Sequence, residues 1–262
     1  STVICDRLIH HSLLIGVKAS GARLLRFKHN NLTELEKLLK IYRKNNSQKK
    51  PLVITESLFS MEGTTAPIKE ISELCSKYDA KLLLDEAHAF GIMGSKGRGE
   101  SFGLKEPISI ISGTFGKAFG GGGAFLVTDK YTGEGLIQNC GAFRYTTALA
   151  PALCASALAA LNLIKNNPDW GRNLQDKSLA LRERLSQNGW VKPLGKGPII
   201  SIILGSDELA IDYQKKLEAQ GLLTVAIRPP TVPEGKSRLR LIIRRNTPIQ
   251  AFERLFKVLS NK

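Results

Sequence analysis

The sequence predicts an α/β protein, a mostly parallel sheet with helices on both faces, followed by a smaller C-terminal α+β domain. Three observations carry this. Short β-type runs alternate with helical stretches through the first two thirds of the chain, the rhythm of βαβ units. A run such as Leu82–Leu84 is apolar without alternation, as a buried strand is. From about residue 150 the rhythm changes to two long helices and then well-separated strands. The expected domains are therefore 1–168 and 169–262, with the boundary near Asn167–Gly171.

The elements follow in order. Thr2–Cys5 reads as a strand, Leu8–Val17 as a helix, Arg23–Phe27 as a strand and Leu32–Tyr42 as a helix. The polar stretch Arg43–Lys50 reads as a loop. Leu52–Thr55 is a strand, and Pro67–Tyr78 a helix with proline near its first turn. Lys81–Leu84, Ile108–Ser112 and Gly123–Val127 are further strands. Ala150–Lys165 is an apolar-striped helix ended by Asn-Asn-Pro, and Trp170–Asn188 a more charged one. Pro198–Leu204 and Leu239–Ile243 read as strands, Glu208–Ala219 and Gln250–Leu259 as helices.

Composition narrows the class. The chain has 262 residues, 42% hydrophobic and 23% charged, which excludes disordered, collagen-like and disulfide-miniprotein classes. No apolar run reaches the roughly 18 residues of a membrane span. The opening residues lack the basic and apolar regions of a signal peptide. Cys5, Cys75, Cys140 and Cys154 form no Cys-x-x-Cys pair, so they are expected to be free, buried thiols of a reducing cytoplasm. The formal charge is +15. The basic residues are scattered in pairs such as Lys49-Lys50, without interleaved aromatics. That favours a solvated surface or an anionic small substrate over nucleic acid.

Two segments carry chemistry. Leu82-Leu83-Leu84-Asp85-Glu86-Ala87-His88 is an apolar strand that delivers Asp85 at its carboxyl end, where open α/β sheets place ligands. Asp-Glu-Ala-His is also a helicase tetrad, but the phosphate loop that reading requires is missing. A solvated acidic turn is the bland alternative. The second segment, Ser112-Gly113-Thr114-Phe115-Gly116-Lys117-Ala118-Phe119-Gly120, follows an apolar run. Its lysine lies among Gly, Phe and Ala, a neighbourhood that favours the neutral, nucleophilic amine. A surface lysine in a glycine loop is the alternative. Gly120–Gly123 is expected to turn the backbone tightly and return it to the sheet at Ala124. A Schiff-base lysine together with an aspartate on a pyridine nitrogen is what pyridoxal phosphate chemistry requires. The Thr114 hydroxyl is a candidate phosphate donor.

With these residues the sequence resembles the α-oxoamine synthases, fold-type I pyridoxal phosphate enzymes of the aminotransferase-like architecture. They condense an amino acid with an acyl thioester and release CO2. Further segments agree. Asp6-Arg7-Leu8-Ile9-His10-His11 is similar to the family segment whose histidine, here His10, stacks on the pyridine ring. Glu56-Ser57-Leu58-Phe59-Ser60 is similar to the segment whose serine, here Ser60, contacts the phenolic oxygen. Tyr145-Thr146-Thr147 resembles the segment that reaches a neighbouring subunit's phosphate.

Ala226-Ile227-Arg228-Pro229-Pro230 followed by Arg238-Leu239-Arg240-Leu241 points within the family to the biotin-pathway branch. That branch uses L-alanine and pimeloyl-CoA or a pimeloyl carrier protein. A glycine-using branch is the second reading, and a chain unable to hold cofactor the third. The resemblance implies pyridoxal 5'-phosphate as cofactor, held by Lys117, Asp85, His88, His10, Ser60, Thr114 and Thr147, with Lys117, Asp85, His88 and His10 catalytic. Arg240 would bind the substrate carboxylate through a bidentate pair, and Arg228 an acidic substrate tail. It implies no metal, a cytoplasmic homodimer with sites at the interface, and no nucleic-acid or membrane partner. It also implies roughly a hundred family residues before the point matched by Ser1.

Overall fold

A computed structural model describes residues 1–46 and 48–260. The chain divides into two compact units, one of Ser1–Phe59 with Ala66–Asp169, the other of Ser60–Thr65 with Trp170–Lys262. The short segment 60–65, which the sequence reading keeps with residues 1–168, groups with the second unit.

The first unit is built on six strands: β1 (Thr2–Asp6), β2 (Arg23–Phe27), β3 (Leu52–Glu56), β4 (Lys81–Asp85), β5 (Ile110–Thr114) and β6 (Ala124–Thr128). Their spatial order is β2-β1-β3-β4-β5-β6. Every pairing is parallel except β5 with β6, where Thr114 faces Ala124. Alternate residues of the central strands feed opposite faces. Ile4, Val53 and Leu82 join Leu35 and Leu39 of α2 (Leu32–Asn45) and Ile71 and Cys75 of α3 (Ile68–Lys77) in one core. Val3, Cys5 and Ile54 pack with Val17 of α1 (His11–Ala19) in the other. Helices on both faces of a mostly parallel sheet are thus what the side-chain alternation produces.

Local chemistry sets the helix ends. The helix expected from Leu8 starts at His11, because Asp6 Oδ1 takes the Leu8 N–H at 2.8 Å and the His10 side chain caps the Ser12 N–H. Asn31 Oδ1 caps α2 through the Glu34 N–H at 2.8 Å. α2 continues through Asn45, so the loop expected over Arg43–Lys50 begins later; Ser47, within it, lies outside the described residues. After β6 come α4 (Lys130–Asn139) and α5 (Gly141–Arg144), then α6 (Pro151–Asn166).

The second unit is a three-stranded antiparallel sheet of β7 (Ile199–Gly205), β8 (Val225–Ile227) and β9 (Ser237–Ile242), in the order β7-β9-β8. Its helices are α7 (Trp170–Gln187), α8 (Asp207–Ala219) and α9 (Ile249–Leu259). Leu181, Leu185, Ile200, Leu217, Leu239 and Phe256 are among its buried residues. Arg182 of α7 is 1% exposed. It donates to the carbonyls of Leu194, Ser178, Gly197 and Ile199 at 2.7–3.3 Å. Burial pushes its guanidinium down to about 10.

All four cysteines are free thiols. Cys5 and Cys75 are buried, whereas Cys140 is half-buried and Cys154 exposed, which corrects the expectation that all are buried. Cys154 lies on α6, where Ala157 is the buried residue and leucines such as Leu158 and Leu163 face outward. Among the described residues no helix is long and apolar enough to cross a membrane.

Candidate active site

In a parallel sheet all strands end on one side, so the residues that follow them meet along one edge. β1 ends on Asp6, β3 on Glu56, β4 on Asp85 and β5 on Thr114. Asp85 is in register with Glu56 on one side and Ser112 on the other. It is half-buried, and its Oδ1 accepts the Ala87 N–H at 2.8 Å. Its Oδ2 has no hydrogen-bond partner among the described residues. Beside it, Ser112 Oγ is buried and also has none. A carboxylate oxygen and a buried hydroxyl, both open on adjacent strands, fit a ligand that brings a polar ring atom to this edge. The residues present therefore suit pyridoxal phosphate at its pyridine nitrogen.

His88 is half-buried in the turn after Asp85, a turn closed by the Ala89 and Phe90 N–H groups on the Glu86 carbonyl at 2.8 and 3.1 Å. Lys117 lies in the loop that joins β5 to β6. Phe115 N–H binds the Gly123 carbonyl at 2.9 Å, and Gly121 N–H binds the Phe115 carbonyl at 2.7 Å. Gly120 and Gly123 have φ of 62° and 99°, so the glycine run turns the chain into β6 at Ala124, as the sequence predicts. Lys117 itself is exposed, with half-buried Phe115 and Phe119 on either side in sequence. The apolar enclosure expected around its amine is thus a pair of flanking rings and not burial. The Thr114 hydroxyl is committed within the loop: it donates to the Gly123 carbonyl at 3.0 Å and accepts the Gly116 N–H at 3.1 Å. Its direct role here is to shape the Lys117 loop, where the sequence reading makes it a phosphate donor.

His10 follows β1. Its ring is exposed, and Nδ1 lies 2.8 Å from Ser12 Oγ and accepts the Ser12 N–H at 3.3 Å. Its backbone N–H donates to Glu56 Oε1. Lys117, Asp85, His88 and His10 are therefore placed along one edge of the first unit. Thr147 is exposed between α5 and α6, apart from the strand ends in sequence, and no side-chain hydrogen bond ties it to them.

In the second unit Ser60 and Arg240 are joined. Arg240 Nε donates to the Ser60 carbonyl at 2.6 Å. Its remaining guanidinium nitrogens have no partner among the described residues, and burial lowers its pKa. Two residues earlier on β9, Arg238 is committed to structure: it meets Glu62 Oε1 at 3.2 Å and the Lys236 carbonyl at 3.0 Å. One arginine of the Arg-Leu-Arg step is thus internally paired, and the other keeps a donor face for an anion. Arg228 is exposed just after β8.

Sequence reasoning missed three buried carboxylates at the same strand edge. Asp6 is fully buried and accepts from His29 Nδ1 at 3.1 Å and from the Asn30 N–H at 2.8 Å. Glu56 holds the His10 backbone. Glu86 is fully buried among donors from Ser57, Glu100 and Ser101. The signal was there in outline, since acids at the ends of apolar strands are seldom decorative.

The chain is 35% identical over 244 residues to 8-amino-7-oxononanoate synthase of Lysinibacillus sphaericus, covering 92% of this chain and 62% of that protein. It is 36% identical over 259 residues to the protein of the same name from Methylobacillus flagellatus, covering 98% and 64%. The chain thus spans a little over three fifths of the length of these curated relatives. Its fold matches a solved serine palmitoyltransferase from Sphingomonas wittichii with a TM-score of 0.91 at 28% identity, over 99% of this chain and 65% of that one. Residues 1–259 match the aminotransferase class I and II family, and the chain belongs to it.

Proposed function

We propose that this chain carries the pyridoxal phosphate and substrate-carboxylate sites of an α-oxoamine synthase. The reaction condenses L-alanine with pimeloyl-CoA, or a pimeloyl carrier protein, to 8-amino-7-oxononanoate, CO2 and the free thiol. One observation carries the reading: Lys117 follows β5 and Asp85 ends the adjacent parallel strand β4, with one Asp85 oxygen open to a ligand. The names of the relatives and the Arg228-Pro229-Pro230 step support the choice of substrates.

When bound, the cofactor supplies an electron sink for the carbanion at the substrate Cα. The protein does the rest. Lys117 anchors the cofactor through its amine and then takes the proton from the alanine Cα. Asp85 keeps the ring nitrogen protonated. His10, its ring set by Ser12, would cover the cofactor ring. His88 and Ser60 would hold the phenolic oxygen, and Thr147 the phosphate in a neighbouring subunit. Arg240, fixed by its Nε bond, presents its other edge to the alanine carboxylate, a geometry lysine cannot reproduce. Arg228 offers a second cation to an acidic acyl tail. We infer a homodimer and a cytoplasmic setting from the same family reading.

The test is a visible spectrum of the chain with added pyridoxal phosphate, beside Lys117→Ala. The expected result is an absorption band that requires Lys117 and shifts with L-alanine. A shift with glycine alone would move the assignment to the glycine-using branch. A spectrum identical in parent and variant would overturn the reading for this chain.

A further inference from the structure

Glu86 sits between Asp85 and His88, and every polar group it owns is engaged. Its N–H donates to the Ser112 carbonyl at 2.9 Å, and its carbonyl accepts from Ala89 and Phe90. Oε1 accepts Ser57 Oγ at 2.8 Å, the Glu100 N–H at 2.6 Å and the Ser101 N–H at 3.0 Å. Oε2 accepts Ser101 Oγ at 2.8 Å. The residue is fully buried, and no Lys, Arg or His is among these partners. Gly99 completes the cradle. Its φ is +87°, and a Cβ there would lie 2.1 Å from Glu86 Oε2.

Neutral donors alone make this an expensive way to bury a carboxylate. An apolar residue would serve packing at less cost, so the geometry asks for another use. The carboxylate gathers three separate pieces of chain: the end of β3, the 99–101 loop, and the turn that carries Asp85 and His88. We propose that Glu86 is a positioning residue, which locks the Asp85–His88 turn against Ser57 and the 99–101 loop, and whose buried charge supports positive charge on a ring nitrogen held by Asp85. The second half rests on the function proposed above; the first half does not.

Glu86→Gln keeps the shape but removes the charge, so the Glu100 and Ser101 N–H groups lose a charge-assisted acceptor for a weaker neutral one. Ser101→Ala removes one donor and serves as the milder variant should Glu86→Gln fold poorly. Two measurements are made on each. Amide hydrogen exchange at Glu100 and Ser101 is expected to speed up at least tenfold in Glu86→Gln and less in Ser101→Ala. The pH midpoint of the Lys117-dependent absorption band is expected to fall in Glu86→Gln and stay put in Ser101→Ala, a split that a purely structural role would not give. Unchanged exchange in both variants would overturn the lock. Faster exchange with an unmoved midpoint would overturn the electrostatic role. A parent chain with no such band would count against the proposed function, and the exchange arm would still decide the lock.

Discussion

Arg240 and Ser60 are bound through the guanidinium Nε and a backbone carbonyl, 2.6 Å apart, across 180 positions of sequence. The bond uses one edge of a planar group and leaves the other edge oriented. Arg240→Lys removes both the anchor and the fork. The expected result is binding of amino-acid substrate weakened 10- to 100-fold, as for about 1.5–3 kcal/mol of charge-assisted hydrogen bonding. Titration of the absorption band with L-alanine measures it. Equal affinity in parent and variant would show that the carboxylate is held elsewhere.

Arg182 predicts a stability effect of a different kind. Four carbonyls converge on its guanidinium inside the second unit. Arg182→Met keeps much of the apolar stem but removes the donor of the buried Gly197 and Ile199 carbonyls, each worth about 1–3 kcal/mol when buried and unpaired. A loss of at least about 3 kcal/mol is expected, read as a lower urea midpoint. A loss below 1 kcal/mol, on the order of an ordinary surface change, would mean that water replaces the side chain.

Much of the first unit was legible from the sequence because its strands are short apolar runs set off by turn residues. The predicted spans for β1, β3 and β4 stop one residue short of the observed ends. What they omit is Asp6, Glu56 and Asp85, the acids that build the edge. Hydropathy ends a strand at a charge; hydrogen bonding carries it one residue further. The antiparallel direction of β6 is not encoded in periodicity at all. It follows from the short glycine-rich loop after Lys117, which is too brief for a crossover helix. α4 went unread because Gly133 and Gly135 break its pattern, and β8 because three residues carry no period. Lys117, Asp85 and Arg240 were legible as motif residues. Glu86 and Arg182 were not, because their partners lie on loops that only the fold brings near.

Gly113 tests the packing behind the Lys117 loop. It lies on β5 opposite Phe125 of β6, and an added Cβ would stand 2.4 Å from the Phe125 ring. That ring also packs on Phe115 and Phe90, with centroids 5.1 and 5.5 Å away. Gly113→Ala is expected to cost about 1–3 kcal/mol by overpacking. Adding Phe125→Leu should return part of the loss, a coupling that a double-mutant cycle of urea midpoints detects. Strict additivity would show that the strain is relieved elsewhere.

The buried thiols set a pH dependence with a definite sign. Burial raises Cys5 to about 11 and Cys75 to about 12, from an ordinary 9.0. Above pH 9 the unfolded chain loses these protons while the folded chain keeps them, so stability falls as pH rises toward the folded values. Arg182 acts in the opposite sense. Its folded value of about 10 lies below the ordinary 12.5, so stability rises with pH between those values, beginning about one pH unit below 10. Between pH 9 and 10 the difference between the parent and a thiol variant isolates the thiol, because Arg182 is common to both. There each contributes a slope approaching about −1.4 kcal/mol per pH unit. Cys75→Ala should remove one share, so that parent and variant converge in stability between pH 8 and pH 10. Urea unfolding at three pH values reads the difference directly, and parallel curves would mean that Cys75 is already ionised or already open to solvent in the folded chain.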